Sequence, residues 1–136
     1  MAAALTKKGY RIVSGGTDCH LMSVDLRPKD ITGKDAEAVL GKAGITVNKN
    51  AIPYDPQKPM IASGVRLGTP AITTRGMDIK EMDSVAAWID EAIINRNDEA
   101  RLKAIKNEVM KLCRHFPVYQ GMLAAMEGAR TAGLAA

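Results

Sequence analysis

The stretch from Ser63 to Gly76, SGVRLGTPAITTRG, constrains the fold of this chain most strongly. Val65 and Leu67 alternate with Arg66, so a strand here sends the two apolar side chains to one face and the guanidinium to the other. A strand of this kind packs one side on a core and leaves the other side open. The stretch therefore predicts a sheet strand that presents one arginine.

The residues around that strand favour the approach of an anion. Gly64 and Gly68 bracket the arginine and leave room for a ligand or for another backbone. Thr69 and Pro70 suit the N-cap and the first position of a helix, where the missing proline N–H costs nothing. Because an arginine fork beside a helix N-terminus suits an anion, we expect a small carboxylate to bind here.

The first part of the chain predicts a helix end followed by a hairpin. Ala2–Lys8 has the character of the last turns of a helix with Gly9 as its stop, and we expect preceding sequence to supply the start of that helix. Arg11–Ser14 and His20–Leu26 alternate as strands do, and the glycine pair of Gly15–Asp18 supplies the turn between them. A phosphate-binding glycine loop is the alternative, but neither a G-x-G-x-x-G motif nor a Walker lysine is present.

Helical spacing of apolar residues indicates three further helices. The first begins with a capping box from Thr32 to Asp35 and ends at Gly44. The other two have a capping box at Asp78–Glu81 and a stop at Pro117, respectively. Stripes with this spacing are typical of core packing. The three stripes are Ala36, Val39, Leu40 and Ala43; then Ile79, Met82, Val85, Ala86, Ile89 and Ile93; then Leu102, Ile105, Val109, Leu112 and Phe116.

Between the first two of these helices, Ile45–Val47 predicts a short strand and Asn48–Pro59 predicts a loop with three prolines. Prolines stiffen a loop, which lowers the entropy cost of ordering it around a ligand. A solvated crossover without a ligand is the alternative. Together these elements predict one α+β domain with a small, mainly antiparallel sheet and helices packed on one side.

Composition excludes several classes of partner. No apolar run approaches the roughly 20 residues of a membrane span, so we expect no membrane partner. The net charge of +4 comes from scattered Lys and Arg with acids interleaved, which predicts no nucleic-acid binding. Cys19 and Cys113 fit no C-x-x-C pattern, so they predict reduced thiols in the cytoplasm and no zinc site.

Five segments of the chain resemble the C-terminal part of serine hydroxymethyltransferase, a pyridoxal-phosphate enzyme family of the aspartate-aminotransferase fold. They are ordered along the chain as in that family: Gly9–Glu37, Ala43–Pro59, Ser63–Gly76, the helix after it, and Val109–Tyr119. The resemblance implies a C-terminal small domain over residues 1–119, followed by an alanine- and glycine-rich tail over residues 120–136.

The resemblance also implies the roles of individual residues. Arg66 falls on the arginine that grips the amino-acid carboxylate, and Asn50 falls on the asparagine that contacts the pterin ring of the folate. Arg75 matches a further family arginine, to which we assign support of the segment containing Thr73. An amide suits a pterin edge because it both donates and accepts a hydrogen bond.

For the intact enzyme, the resemblance implies interconversion of serine and tetrahydrofolate with glycine and 5,10-methylenetetrahydrofolate. Pyridoxal 5'-phosphate would be held mainly by a large domain, and the enzyme would be a homodimer or homotetramer. The family's Schiff-base lysine lies in a T-T-T-H-K segment that does not occur in this chain, so we expect the chain alone to be inactive. Two alternatives are a stand-alone, non-catalytic interaction or folate-binding module, and an enzyme that uses a local lysine such as Lys49.

Overall fold

The computed structural model describes residues 1–119 and residue 122, and within them the chain folds around one antiparallel sheet. The strands are β1 (Arg11–Ile12), β2 (Leu21–Asp25), β3 (Asn48–Asn50) and β4 (Gly64–Gly68). The α-helices are α1 (Ala2–Lys7), α2 (Gly33–Lys42), α3 (Pro70–Thr74), α4 (Ile79–Ile94) and α5 (Glu99–His115). Short 3₁₀ turns lie at Val13–Gly15 and Arg27–Lys29.

The order of strands in the sheet is β1-β2-β4-β3, and every neighbouring pair is antiparallel. One face of the sheet carries Met22, Val24, Val65 and Leu67, which are buried in the same core as the helix residues. The helical part of that core comprises Leu5, Ala36, Leu40, Ala86, Ile89, Ala92, Ile93, Leu102 and Ile105. The predicted α+β class, with a small antiparallel sheet, is confirmed.

The helix boundaries follow from their capping residues. Thr32 Oγ1 accepts from the backbone N–H of Asp35 at 3.1 Å, although the Thr32 hydroxyl donates to the Asp35 carboxylate instead of completing a reciprocal box. At α4 the box is reciprocal, with Asp78 capping and Glu81 Oε2 accepting from the Asp78 N–H at 2.7 Å. Both N-caps were predicted, and both satisfy helix N–H groups that lack a partner inside the helix.

The predicted strand at Ile45–Val47 is wrong, because the strand lies at Asn48–Asn50 instead. There Asn48 opposes Arg66 and Asn50 opposes Gly64 across the ladder with β4. Val47 is buried in the core, but the ladder with β4 begins only at the next residue, Asn48. Apolar character decided the sequence-based choice, whereas backbone pairing decides the structure.

Two smaller predictions also need correction. The first strand ends at Ile12, because Ser14 takes a left-handed φ of 68° and turns the chain out of the ladder. Ile79 is 79% exposed and not part of the α4 core stripe. It is the first residue of its helix, and side chains there project back toward the N-terminus, beyond the covered part of the helix.

The last two helices pack along their predicted stripes. Leu102 and Ile105 are fully buried, whereas Val109 and Leu112 are half-buried because they line a groove of about 340 Å³ shared with α3 and α4. Trp88 on α4 donates from Nε1 to Glu108 on α5 at 2.7 Å. Among the described residues, no helix is long and apolar enough to cross a membrane.

Candidate functional site

The side chain of Arg66 is presented as the sequence predicts. It is the middle residue of β4, and it is exposed while its neighbours Val65 and Leu67 are 1% and 7% exposed. Within the described part of the chain, Arg66 forms neither an ion pair nor a side-chain hydrogen bond. All the donors of its planar fork are therefore available to a ligand or to another polypeptide.

Asn50 lies on the same face of the sheet as Arg66. Arg66 directly opposes Asn48 on β3, and Asn50 is two residues further along that strand. Residues two apart on a strand share a face, and diagonal cross-strand neighbours are about 7–8 Å apart. The structure thus brings together the two residues that the sequence singled out, with the Asn50 amide donating to the Ala51 carbonyl at 2.7 Å.

The glycine before Arg66 is required by the sheet itself. A Cβ at Gly64 would lie 2.6 Å from the Val24 carbonyl oxygen and 3.0 Å from the Asn50 carbonyl oxygen. Real Cβ atoms do not approach backbone so closely, so only glycine allows the three strands to come together here. Gly68, at the other end of β4, has no neighbour closer than 3.5 Å to its would-be Cβ.

A buried carboxylate lies beside this face, and sequence analysis missed its role. Asp25 on β2 is 1% exposed and accepts hydrogen bonds from Arg27 Nη2 at 2.8 Å and from Arg11 Nη1 at 2.6 Å. The hydrogen bonds from Arg27, with those from Arg11, outweigh burial and lower the pKa of Asp25 to about 2. The signal was the pairing of an Asp with an Arg two residues later and an Arg on the facing strand. The negative charge of Asp25 is thus already balanced by two arginines, so Asp25 does not compete for Arg66.

Asp55 organises the loop between β3 and β4, and its role was also missed. Its carboxylate accepts from the backbone N–H groups of Ile52, Gln57 and Ser63 at 3.1, 2.9 and 2.8 Å, and from the Ser63 hydroxyl at 2.6 Å. Partial burial opposes the charged form, but these hydrogen bonds outweigh it and lower the pKa of Asp55 to about 2. Asp55 is therefore a charged anchor at ordinary pH.

The helix start next to Arg66 differs in detail from the prediction. Thr69 occupies the N-cap position, but its side chain makes no capping bond and its hydroxyl donates to the His20 carbonyl at 3.4 Å. Helix α3 is only five residues long, so its N-terminal dipole is weak. The helix start therefore adds little positive potential to that of the Arg66 guanidinium.

Arg75 and Thr73 lie at the far end of α3. Arg75 is half-buried and donates from Nη2 to the Cys113 carbonyl on α5 at 2.9 Å. Thr73 is exposed, and its carbonyl accepts from the Gly76 N–H at 2.9 Å. The bond from Arg75 joins α3 to the last turn of α5, while the support of the Thr73 segment stays a prediction.

The described residues do not fit a Schiff-base site for pyridoxal phosphate. Lys49 is on β3, but its side chain points to the face opposite Arg66, where Nζ pairs with Glu37 Oε2 at 3.3 Å. The Lys49 backbone N–H also donates to that carboxylate. Among the four strands of the described residues, Lys49 is the only lysine, so the face that carries Arg66 and the asparagine amides has no strand lysine.

Comparisons with known proteins show which proteins this chain is similar to. A family model described as serine hydroxymethyltransferase matches residues 1–89. Curated proteins named serine hydroxymethyltransferase from Acidobacterium capsulatum and Halorhodospira halophila are 57% and 53% identical to the chain over 119 residues. These matches cover 88% of this chain, but only 28% and 29% of the two relatives, so the chain spans less than a third of their length.

Proposed function

Because this chain belongs to the serine hydroxymethyltransferase family, we propose that it supplies substrate contacts to an enzyme that interconverts serine and glycine. The one-carbon acceptor is tetrahydrofolate, and the product is 5,10-methylenetetrahydrofolate. The observation that carries the proposal is the guanidinium of Arg66, which has no partner among the described residues and lies on the same open face as Asn50. The chain alone is inactive, because its described residues provide no Schiff-base lysine at that face.

Arg66 binds the carboxylate of the amino-acid substrate. A guanidinium makes two parallel hydrogen bonds to a carboxylate, which fixes the orientation of the amino acid as well as its position. Pyridoxal 5'-phosphate, when bound, supplies an electron sink for the chemistry at the α-carbon. The part of Arg66 is to hold the substrate in one orientation, and orientation of this kind lowers the barrier to reaction.

Asn50 contacts the pterin ring of the folate. Its carboxamide both donates and accepts, which matches the alternating donors and acceptors on a pterin edge. Asn50 lies at the end of β3, where the chain enters a loop whose residues Tyr54 and Met60 are 101% and 75% exposed. The loop beyond Asn50 is therefore open to solvent, while Asn50 itself is half-buried, and this leaves room for a second substrate beside the amino acid.

The remaining features of the proposal concern the whole enzyme. Residues 1–119 form its C-terminal small domain, and residues 120–136, which apart from residue 122 lie outside the described residues, follow as a tail. The partners are the large domain, which holds most of the pyridoxal phosphate, and a second copy in a cytoplasmic homodimer or homotetramer. The alternative, a stand-alone module, is supported by the continuous core that residues 1–119 already bury.

The variant Arg66→Lys in the complete enzyme tests the carboxylate assignment. A lysine keeps the charge but loses the fork, so we expect the KM for serine and the Kd for glycine to rise at least about tenfold. Arg114→Lys, an exposed site on α5, is the matched control and leaves both values unchanged. Calorimetric glycine binding that is as tight in the Arg66 variant as in the parent would contradict the assignment.

The size of the native polypeptide separates the two candidate functions. An antibody raised against this chain detects a band several times heavier than 14.6 kDa if the chain is part of the enzyme. A native band at the mass of the chain itself would favour the stand-alone module.

A further inference from the structure

One carboxylate, that of Asp55, joins the two ends of the loop between β3 and β4. Asp55 accepts from the Ile52 N–H on the outgoing side of the loop and from the N–H and hydroxyl of Ser63 on the returning side. Its remaining bond, from the Gln57 N–H, fixes the turn that follows it. We refer to these four hydrogen bonds as the Asp55 clasp. A charged acceptor makes stronger bonds than a neutral one, so the clasp is a strong local constraint.

The clasp grips the two residues that lead directly to the candidate binding groups. Ile52 is 4% exposed and follows Asn50 by two residues, while Ser63 is 3% exposed and precedes Arg66 by three. The Ser63 carbonyl in turn accepts from the Leu26 N–H at 2.9 Å. The clasp therefore links the end of the edge strand that carries Asn50 to a fixed point in the body of the domain.

The loop needs such a constraint because its backbone is strained. Tyr54 and Ala62 both have a left-handed φ of 55°, a conformation that is unfavourable for a residue other than glycine. Burial of the Tyr54 side chain does not offset this backbone strain, since the side chain is fully exposed. The strain at Tyr54 lies immediately before Asp55 and persists only if neighbouring interactions hold the chain in place.

We propose that Asp55 is a positioning residue that holds Asn50 in the geometry required by the folate, acting through Ile52 and Ser63. This inference rests on the proposed function, because it assumes that Asn50 contacts the second substrate. Asp55 itself touches neither substrate.

The effect of losing the clasp differs between the two substrates. Arg66 lies in the middle of β4 and is flanked by β2, with five paired positions, as well as by β3. Asn50 is the last residue of a three-residue edge strand, so within the described sheet its only ladder partner is β4. Releasing the clasp therefore displaces Asn50 more than Arg66, and folate binding is weakened more than amino-acid binding.

The test is the variant Asp55→Asn in the complete enzyme. An amide has a single acceptor oxygen and would turn a donor toward Ser63, so the clasp opens while the side-chain volume stays the same. We expect the KM for tetrahydrofolate to rise roughly tenfold, with less than a twofold change in the KM for serine and in kcat. Asp83→Asn, at an exposed position on α4, is the matched control.

A second variant keeps the inference testable if Asp55→Asn does not fold. Ser63→Ala removes only the hydroxyl donor, so we expect a smaller rise in the same KM together with faster chymotrypsin cleavage after Tyr54. Equal rises in the KM values for folate and serine, or an unchanged folate KM with faster cleavage, would overturn the positioning role.

Asn50→Ala separates this inference from the proposed function. If Asn50→Ala leaves the folate KM unchanged, the folate assignment itself fails, and the positioning role fails with it. If Asn50→Ala raises the folate KM and Asp55→Asn does not, only the positioning role fails.

Discussion

Four of the described arginine side chains illustrate three different environments. Arg11 and Arg27 share the carboxylate of Asp25, Arg75 donates to a backbone carbonyl, and Arg66 forms no ion pair among the described residues. Only the last environment suits a ligand, because a guanidinium that is already paired offers fewer donors. The chemistry of one residue type therefore depends on what the fold places next to it.

The hydrogen bond of Arg75 should contribute measurably to the stability of the chain. The Nη2 bond to the Cys113 carbonyl joins two helices, and removing it in Arg75→Ala should lower the free energy of unfolding by about 1–2 kcal/mol. The measurement is urea unfolding followed by the fluorescence of Trp88. Arg114→Ala, at an exposed position one residue after Cys113, should change stability by less than about 0.5 kcal/mol. Equal losses in the two variants would show that the bond contributes nothing specific.

Among the elements, helix α2 is held against the loop that returns to β4. The N–H groups of Gly33 and Lys34 donate to the Ala62 and Ile61 carbonyls at 2.9 Å, so the loop completes the helix start. This contact requires close approach, since a Cβ at Gly33 would lie 2.3 Å from the Gly64 carbonyl oxygen. The first helical residue is therefore glycine for a packing reason.

Two glycine substitutions in α2 should have opposite effects. Gly33→Ala forces backbone to move and should destabilise the chain by about 1–3 kcal/mol. Gly41→Ala has open space around its Cβ and should stabilise the helix by roughly 0.5–1 kcal/mol. Thermal unfolding of both variants, followed by circular dichroism, checks the sign of each effect. Destabilisation by both substitutions would contradict the packing argument.

The elements also show what sequence can and cannot predict here. The outward direction of Arg66 follows from the period of a strand, and the starts of α2 and α4 follow from their capping residues, because these are local rules. The place of β3 could not be predicted, since Asn48–Asn50 have low strand propensity and pair only because β4 lies beside them. The partners of Asp55 are likewise set by backbone turns that no local pattern encodes, whereas Arg27, two residues after Asp25, was a local signal.

At the scale of the molecule, the response to acid is dominated by Asp25 and Asp55, the described carboxylates with the most strongly lowered pKa values. Hydrogen bonds from Arg27 keep the pKa of Asp25 at about 2, below its ordinary value of 3.8. At Asp55, partial burial raises the pKa, but hydrogen bonds from Ser63, Gln57 and Ile52 outweigh that effect and lower it to about 2 as well. A carboxyl whose pKa is lower in the folded state stabilises that state above its unfolded pKa. The contribution is then lost as the pH falls through the folded value.

We therefore expect the free energy of unfolding to be flat above about pH 5 and to fall between about pH 4 and pH 2. Asp25 alone should account for about 2 kcal/mol of that fall. In Asp25→Asn this stability is already lost at neutral pH. The acid limb, which is the fall in the free energy of unfolding between about pH 4 and pH 2, then becomes shallower. Urea titrations at several pH values measure both effects, and an unchanged acid limb in the variant would contradict the assignment.

The order of the strands determines when the sheet face that carries Arg66 and Asn50 can form during folding. β4 pairs with β2, whose residues lie roughly forty positions earlier in the chain, and β3 joins the sheet only through β4. Contacts so distant in sequence form late and slow the folding of a small domain. During synthesis, the β1–β2 hairpin emerges before β4, so the four-stranded sheet cannot form until β4 is available to pair with β2. The face that carries Arg66 and Asn50 can therefore be complete only after β4 has been synthesised and has paired with both β2 and β3.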